Sequence, residues 1–530
     1  MNPYLIFSKI FALSLLLFFS NALFSQYQNI KVSQTGGSFE PEEVTISINP
    51  TNPLNLAAGA NIDYYYYSTD GGFTWTEGNL TSTLGVYGDP CVIFDADGNL
   101  YYAHLSDPFS GYWLDRIVVQ KSTNGGMTWN DGAGVGLNPP KQQDKEWLAA
   151  DFTNSPYHNN LYVSWTEFDD YGSSNPNDST RILFSRSTDS GNSWSQPVRI
   201  SDTGGDCLDS DNTVEGAVPA IGPNGEVYIS WAGPLGIMFD KSTDGGITFG
   251  EDIFVTDQPG GWDFNISGIY RCNGLPVTAC DISNSAYQGN IYVLWSDQRN
   301  GVNDTEVFLI KSTDGGQNWG NAVRVNDDTT SRHQFFPWMT IDPMTGFIYV
   351  VFYDRRNTTG EATDVYVAKS IDGGDSFINF EVSQSSFTPI PNVFFGDYIN
   401  IAARNGKIYP IWTRLDLMTL SVWIAIIEDS TITHVETGNE IANDFKLMQN
   451  YPNPFNPTTT IEFDLRQTDF VTLKIYSITG EEVATLVSEE LTAGKHKYEW
   501  TRTAGLASGV YLYRLVAGEF VRARKMILMK

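Results

Sequence analysis

Acidic and aromatic side chains stand just ahead of several apolar stretches of the sequence, in two cases next to each other. The group consists of Asp89 in "GDPCVIF", Glu146 and Trp147 in "DKEWLAAD", Glu215 in "VEGAVPA", Trp338 in "FFPWMTI", and Asp397 and Tyr398 in "GDYINIA". Pairs of carboxyl groups supply the acid and the base that cleave a glycosidic bond, and flat aromatic rings pack against sugar faces. These residue types predict a glycan site, with the four carboxyls and Tyr398 as catalytic residues and the two tryptophans as substrate-binding residues.

Three arginines follow a second kind of apolar stretch. They are Arg299 in "WSDQR", Arg356 in "FYDRR" and Arg414 in "WTR". Because a guanidinium group binds a carboxylate through two parallel hydrogen bonds, these residues are predicted to bind the carboxylate of an acidic sugar. The alternative is structural, since acids near strand starts also cap turns and form surface ion pairs with arginines.

The elements that position these residues belong to a repeat. An octet recurs six times, beginning at Ser68 ("STDGGFTW"), Ser122 ("STNGGMTW"), Ser187 ("STDSGNSW"), Ser242 ("STDGGITF"), Ser312 ("STDGGQNW") and Ser370 ("SIDGGDSF"). The intervals of 54 to 70 residues fit a four-stranded propeller blade with long loops. The third position of the octet holds Asp70, Asn124, Asp189, Asp244, Asp314 and Asp372. We expect these side chains to accept hydrogen bonds within their own turns and to be structural.

Each period contains three apolar strands before its octet and a short strand after it, so the octet is predicted to be the turn between strands three and four. After the sixth octet three more strands follow without a fourth, and residues 29–34 ("NIKVSQ") resemble the missing strand. Pairing of these two ends would close a ring and remove exposed sheet edges. We predict an all-β fold with a seven-bladed propeller over residues 27–428, or alternatively six blades. Since successive antiparallel strands alternate in direction, the candidate residues are expected at the rim opposite the octets.

The octet pattern S-x-D-x-G-x-x-W resembles the Asp box, or BNR repeat, of the sialidase superfamily. The resemblance implies a β-propeller whose boxes are structural and a sialidase-like glycoside hydrolase acting on extracellular glycans or glycoproteins. Sialidases carry an Arg-Ile-Pro motif before the first box; none precedes Ser68, and "YRCNGLP" places Arg271 without that spacing. Two alternatives therefore stand: a non-catalytic, adhesin-like propeller that binds glycan or protein, and a polysaccharide lyase, which would need a Tyr or His base near an arginine.

The N-terminus and the charge indicate an exported protein. Lys9 precedes ten apolar-rich residues, and small residues follow at Ser20, Ala22 and Ser25, which predicts a cleaved signal peptide over residues 1–25. No later stretch approaches the length of a membrane span, so no stable span is predicted. The net charge of −30 argues against nucleic acid and anionic lipid as partners.

The C-terminal part differs from the rest in composition. Residues 429–444 form a polar linker, and from residue 445 to the end 11 Lys and Arg stand against 9 Asp and Glu. Strands alternating with Gly turns predict a small Ig-like antiparallel sandwich over residues 445–530. "NYPNPFNP", "YSITGEEV" and "SGVYLYRL" resemble the type A C-terminal sorting domain of type IX secretion. That resemblance implies the type IX machinery as a partner and a secreted or outer-surface location reached through the periplasm. The alternative is an accessory glycan-binding sandwich.

No metal or cofactor is predicted. "DADGNLYY" at residues 95–102 resembles the start of a calcium loop but lacks a Glu at the twelfth position, and is interpreted as a hairpin turn. His104, His158 and His333 are isolated in the sequence. Four cysteines, Cys91, Cys207, Cys272 and Cys280, allow three disulfide pairings, and the sequence does not choose among them.

Overall fold

A computed structural model describes residues 27–429, 446–450, 452–465, 468–478, 482–491, 494–502, 506–518 and 520–529. All regular elements in these ranges are β-strands, which confirms the all-β prediction for the described chain. The chain divides into two compact units, residues 1–430 and 431–530. The predicted signal peptide lies outside the described residues, as does the predicted linker apart from Asp429.

The described residues of the first unit form seven four-stranded antiparallel sheets, which we number in chain order by their first strands. Sheet 1 consists of β2 (Thr45–Ile48), β3 (Leu56–Ala60), β4 (Tyr64–Ser68) and β5 (Thr76–Asn79). Sheet 2 consists of β6 (Cys91–Phe94), β7 (Leu100–Leu105), β8 (Ile117–Ser122) and β9 (Ala133–Val135). Sheet 3 consists of β10 (Gln142–Ala150), β11 (Leu161–Phe168), β12 (Thr180–Ser187) and β13 (Val198–Arg199). Each sheet is a meander, since its strands pair in sequence order.

Sheets 4 to 6 repeat this arrangement. Sheet 4 consists of β14 (Glu215–Ile221), β15 (Val227–Ala232), β16 (Ile237–Ser242) and β17 (Ile253–Thr256). Sheet 5 consists of β20 (Val277–Cys280), β21 (Ile291–Asp297), β22 (Glu306–Ser312) and β23 (Val323–Arg324). Sheet 6 consists of β24 (Gln334–Ile341), β25 (Ile348–Asp354), β26 (Asp364–Ser370) and β27 (Ile378–Glu381). The chain between sheets 4 and 5 holds a two-stranded hairpin, β18 (Asp263–Phe264) with β19 (Cys272–Asn273). Second strands such as β21 are buried along their whole length, as expected for strands covered on both faces.

Sheet 7 joins the two ends of the unit. It consists of β28 (Asn400–Arg404), β29 (Lys407–Asp416), β30 (Thr419–Glu428) and, as its fourth strand, β1 (Gln28–Lys31). Strand β1 pairs antiparallel with β30, with Ile30 opposite Ile424. The predicted pairing of the N-terminal strand with the last sheet is therefore confirmed.

The first strands of the seven sheets contact one another in a closed cycle. Strand β2 contacts β6, and the contacts continue through β10, β14, β20, β24 and β28 back to β2. Strands at the centre of such a cycle surround a channel, and the outer strands lie further from it. All seven sheets therefore present their first strands to one shared axis.

The octets lie at the predicted turns between third and fourth strands, and each closes on itself. In the first copy the Ser68 hydroxyl donates to Asp70 Oδ1 at 2.8 Å, and the backbone N–H of Thr74 donates to the same oxygen at 3.0 Å. The N–H of Gly72 donates to Ser68 Oγ at 2.9 Å; its φ of 90° favours glycine. The same Ser-to-Asx hydrogen bond recurs at Asn124, Asp189, Asp244, Asp314 and Asp372.

A cation stands just before the octet serine in five of the six copies, Tyr67 taking its place in the first, and these cations link neighbouring sheets. Four of them each donate a hydrogen bond to a backbone carbonyl: Lys121 to that of Ser190 (3.2 Å), Arg186 to that of Gly245 (3.3 Å), Lys241 to that of Gly315, and Lys311 to that of Gly373 (2.9 Å). In each pair the acceptor belongs to the octet of the next sheet. Sheet 7 has no octet, and Lys369 of sheet 6 instead forms an ion pair with Asp429. The repeat therefore stabilises both its own turn and the contact with the preceding sheet.

In the C-terminal unit, the residues that the structure describes form two antiparallel sheets with one apolar core. One sheet has the strand order β31 (Lys446–Leu447), β32 (Thr458–Leu465), β35 (Gly494–Thr501). The other has the order β34 (Glu482–Leu491), β33 (Asp469–Ser477), β36 (Gly509–Ala517), β37 (Phe520–Leu528). Phe463, Leu473 and Tyr513 are buried in the shared core.

Ring closure can be tested at the backbone of β1. The N–H of Val32 donates to the carbonyl of Val422 at 2.8 Å, and the alternation of an antiparallel ladder directs the N–H of Ile30 toward β30 as well. We expect Ile30→Pro to lower the free energy of unfolding by about 1–3 kcal/mol, because it leaves a buried carbonyl without its donor. Urea unfolding at fixed pH measures the change.

The matched control is Lys31→Pro, since the N–H of this neighbouring residue points away from β30. The control is expected to unfold close to the parent protein. Equal losses in the two variants would show that the β1 ladder does not stabilise the unit.

Candidate functional site

The first strands line a central channel. A cavity of about 320 Å³ is lined by residues from all seven of them, among others Ile46, Val92, Ala149, Ala220, Ala279, Thr340 and Ile401. Where the first strands begin, a second cavity of about 50 Å³ adjoins the channel. We call this end of the channel the mouth.

Most of the predicted site residues meet at the mouth. The mouth cavity is lined by Asp89, Glu146, Trp147, Trp338, Asp397 and Tyr398, together with Lys145. Glu215 lines an adjoining cavity of about 20 Å³ with Asp209 and Arg271, and Lys145 and Asp397 line both cavities. The structure thus brings together carboxyls from four sheets that are far apart in sequence.

An unusual backbone conformation directs side chains into the mouth. Glu43, Asp89, Lys145 and Phe336 have φ values of 52°, 50°, 53° and 49°, in the left-handed region that non-glycine residues rarely adopt. Each lies two residues before the point where its first strand begins, or after a bulge resumes, regular pairing with the second strand of the same sheet. In β10 and β24 the residue lies in a β-bulge, which re-aims a side chain at the end of a strand. Strained residues of this kind cluster at functional sites.

Lys145 is surrounded by carboxylates from three other sheets. Its Nζ lies 2.5 Å from Asp397 Oδ2, 3.2 Å from Asp89 Oδ2 and 3.7 Å from Glu43 Oε1. These carboxylates raise the pKa of Lys145 despite its burial. One buried cation therefore holds three strand ends together, an arrangement in which removal of the cation leaves uncompensated buried charge.

Arg271 reaches the same cluster from the hairpin between sheets 4 and 5. Its Nε donates to Asp397 Oδ1 at 2.8 Å, its Nη2 donates to Asp397 Oδ2, and its Nη1 donates to Asp209 Oδ2 at 3.3 Å. Burial alone would raise the pKa of Asp397, but Arg271 and Lys145 hold that pKa below its usual range. Asp397 is the shared anion of the mouth, and the Arg271 guanidinium is committed to carboxylates of the protein.

Other carboxyls of the mouth are shifted in the opposite direction. Burial, then the nearby Asp89, raises the pKa of Glu146 well above its usual value, and burial, then Asp209, does the same for Glu215. Within the described chain, neither carboxyl oxygen of Glu146 has a hydrogen-bond partner. Carboxyls whose pKa values are raised and one whose pKa is lowered thus share one cluster, the combination needed for proton donation beside a stabilising anion.

The aromatic residues form a partition below the carboxyls. The rings of Trp147 and Trp338 lie 4.3 Å apart, and Tyr398 lies 5.4 and 5.8 Å from them. Both tryptophans line the mouth cavity and the channel, so they separate the two spaces. The Tyr398 hydroxyl donates to the carbonyl of Pro90 at 3.1 Å.

The three arginines predicted to bind a substrate carboxylate do not line the mouth. Arg299 pairs with Asp297 at 2.6 Å, Arg356 with Asp354 at 2.7 Å, and Arg414 with Asp416 at 2.6 Å. The physical reason is local: residues two apart in extended chain point to the same side, and each arginine has a carboxylate at that distance. They form ion pairs within their sheets instead.

Sequence reasoning missed the two cations that are at the mouth. Lys145 stands between Asp144 and Glu146 in "DKEW", and a lone cation in an acidic run was the available signal. Arg271 lies in the long connection between sheets 4 and 5, and nothing in its local sequence indicates where that connection crosses the mouth.

The described residues contain no cluster of His, Cys, Asp and Glu able to hold a metal. Asp95 accepts the N–H groups of Asp97 and Asn99, so "DADG" closes a hairpin turn. His104 is buried, which lowers its pKa to about 4. All four cysteines are free and buried, so none of the three disulfide pairings that the sequence allows is formed in the structure.

The comparison with family models identifies the end of the chain. Residues 449–529 match a family described as a secretion system C-terminal sorting domain. The C-terminal unit is a sorting domain of this kind. It indicates export to the cell surface or the medium, and among the described residues no helix is long and apolar enough to cross a membrane.

Solved structures resemble the chain more distantly. A protein of unknown function from Dyadobacter fermentans has 12% identity and a TM-score of 0.43, covering 76% of this chain and 98% of its own. An ulvan lyase bound to an oligosaccharide has 10% identity and a TM-score of 0.46 (76% and 96%). The NanB sialidase from Streptococcus pneumoniae has 9% identity and a TM-score of 0.43 (70% and 83%). No curated protein is significantly similar. Likeness at this level does not carry activity from one protein to another.

The buried carboxyls of the mouth predict a pH dependence of stability. Burial, then the charge of Asp89, raises the pKa of Asp144 to about 7, whereas an unfolded Asp titrates near ~3.9. Between these two pKa values the folded state holds this proton and the unfolded state has lost it. The contribution of Asp144 to the free energy of unfolding is therefore fully present at low pH and is lost as the pH rises through 7. We expect Asp144→Asn to make the fall in stability between pH 4 and 7 less steep, as measured by urea unfolding at several pH values.

Asp107→Asn, at an exposed position of a loop, serves as the control and is expected to keep the parent slope. A parent-like slope in Asp144→Asn would contradict the assignment of the shift to this carboxyl.

Proposed function

We propose that this protein is an exported, glycan-active β-propeller whose mouth hydrolyses a glycosidic bond. The seven sheets would be its blades, and the C-terminal unit an Ig-like sandwich. The observation that supports hydrolysis is the presence, in one cavity, of carboxyls whose pKa values are displaced in opposite directions: Glu146 upward and Asp397 downward.

In this proposal Glu146 donates the proton to the leaving oxygen. Burial, then the charge of Asp89, raises its pKa and so favours the protonated form that a proton donor needs, and its oxygens are not engaged by the described protein groups. Asp397 remains ionised and stabilises the positive charge that develops on the sugar ring in the transition state. Asp89 lines the same cavity and is the further candidate for a carboxylate that acts on the anomeric carbon.

The charge of the mouth favours a glycan without a carboxylate at the reacting sugar. Lys145 and Arg271 are both in contact with carboxylates of the protein, so a substrate anion would have to displace them. We therefore favour neutral glycans over sialosides and uronates as substrates of this site.

A second candidate is non-catalytic glycan binding. It is favoured by the small volume of the mouth cavity, about 50 Å³, and by the internal pairing of the cations. A lyase is less well supported, because Arg271 contacts Asp397 rather than a Tyr or His, and none of His104, His158 and His333 lines the mouth cavity.

Enzyme assays distinguish these candidates. The secreted protein is incubated with neutral oligosaccharides, sialosides and uronate polysaccharides, and released reducing ends are measured together with the unsaturated sugar ends that a lyase forms and a hydrolase does not. We expect turnover of a neutral glycan and a loss of about 100-fold or more in Glu146→Gln, the size typical of a lost proton donor. Asp397→Asn is expected to lower turnover as well.

Glu251→Gln, which changes an exposed carboxyl two residues before β17 begins, is the control and should retain parent activity. Retention on immobilised glycans without turnover of any would favour the binding candidate. Parent-level activity in Glu146→Gln would exclude Glu146 as the proton donor.

The route of export follows from the sorting domain. We propose that residues 445–530 engage the type IX machinery after the N-terminal signal has delivered the chain to the periplasm. Deletion of residues 446–530 is expected to move the protein from the medium or cell surface to the periplasm, as detected by immunoblots of cell fractions. External protein at parent levels after the deletion would contradict this role.

A further inference from the structure

A second large cavity lies at the other end of the channel, which we call the distal end. It has a volume of about 420 Å³ and is lined by the turns that follow the first strands. It shares Phe152, Ile282, Pro343 and Arg404 with the channel cavity, so the two are continuous. This volume is within the range of pockets that hold small molecules, whereas the mouth cavity is far smaller.

Arg404 places a cation in the distal cavity without a partner. Within the part of the chain that the structure describes, its guanidinium forms no ion pair or hydrogen bond. Burial lowers its pKa, and attraction by Asp342 offsets this only in part. The Asp342 oxygens accept the N–H groups of Met344 at 2.9 Å and Gly406 at 2.7 Å. Partial burial of an unpaired cation is costly, and the cost is removed when an anion binds.

Two loops of the same design present amide groups beside Arg404. They are "DFTNSPYHNN" at residues 151–160 and "DISNSAYQGN" at residues 281–290. In the first, Asp151 accepts the N–H of Thr153 at 2.7 Å and the hydroxyl of Ser155 at 2.5 Å. In the second, Asp281 makes the equivalent bonds with Ser283 at 2.7 Å and Ser285 at 2.6 Å. Each loop is therefore fixed by its own acid.

The fourth residue of each loop is an asparagine that these bonds do not use. Asn154 and Asn284 are exposed and line the distal cavity. Their amides can donate and accept hydrogen bonds, and the loops hold them in place without engaging them. Phe152 and Met344, 39% and 57% exposed, add apolar surface to the same cavity.

We propose that the distal cavity binds a small sugar acid, with its carboxylate on Arg404 and its hydroxyl groups on Asn154 and Asn284. A guanidinium fork matches a carboxylate in charge and geometry, and side-chain amides match hydroxyl groups, which both donate and accept. The exposed ring of Phe152 offers a surface for the apolar face of the sugar. This site is separate from the mouth, where both cations are already paired with carboxylates.

Calorimetric titration of the full chain with sodium glucuronate tests the proposal, with glucose as the neutral match. Saturable binding of glucuronate and none of glucose is expected. Arg404→Met is expected to weaken binding by about 10-fold or more, because a charge-assisted hydrogen-bond pair is lost. Lys407→Met removes a positive charge from the same hairpin and should bind like the parent.

A double variant, Asn154→Ala with Asn284→Ala, covers the case in which Arg404→Met does not fold, and it is expected to bind more weakly than the parent. Triglycine with a free and with an amidated C-terminus is titrated in parallel. Tighter binding of free triglycine than of glucuronate would overturn the sugar-acid assignment. Absence of glucuronate binding to the parent protein would overturn the site itself. So would parent-like glucuronate binding by both the double variant and Arg404→Met.

Discussion

The pairing of β1 with β30 is the constraint on which the rest of the first unit depends. It joins residues that are almost 400 positions apart and gives the last sheet its fourth strand. Without it, sheet 7 would have an exposed edge, and the contact of β28 with β2 would close the cycle of first strands without support from strand pairing. Asn29 also links β1 to the neighbouring sheet, because its side chain forms hydrogen bonds with the backbone of Val382 and Gln384, which follow sheet 6. The channel and both of its ends follow from this closure.

The two ends of the channel differ in how their charges are balanced. At the mouth the cations Lys145 and Arg271 are enclosed by carboxylates of the protein, so the charge is compensated internally, and the carboxyls next to it have raised pKa values. At the distal end Arg404 has only the more distant Asp342 to offset its charge. A protein with a net charge of −30 thus keeps an uncompensated cation in a cavity of about 420 Å³. Electrostatic balance, more than cavity shape, separates the two proposed roles.

The repeat explains why so much of the fold was accessible from the sequence. Each octet carries its own turn chemistry, with the Ser68 hydroxyl and the Asp70 carboxylate satisfied inside eight residues, so its position between strands three and four could be predicted locally. The fourth-strand resemblance of residues 29–34 likewise predicted ring closure. Carboxyls ahead of first strands converge because every first strand starts at the same end of the channel.

The sequence by itself therefore determined the strand order, the structural role of the octets, the convergence of Asp89, Glu146 and Asp397, and the sorting domain at the end of the chain. Only the tertiary structure decided which cations accompany those carboxyls. Arg299, Arg356 and Arg414 pair with acids two residues away, while Arg271 reaches Asp397 from a connection more than a hundred residues earlier. The distal cavity was likewise hidden, because it is formed by turns of all seven sheets. Hydrogen bonds within a turn are encoded locally, whereas the partner of a long cationic side chain depends on which distant segments the closed ring brings within its reach.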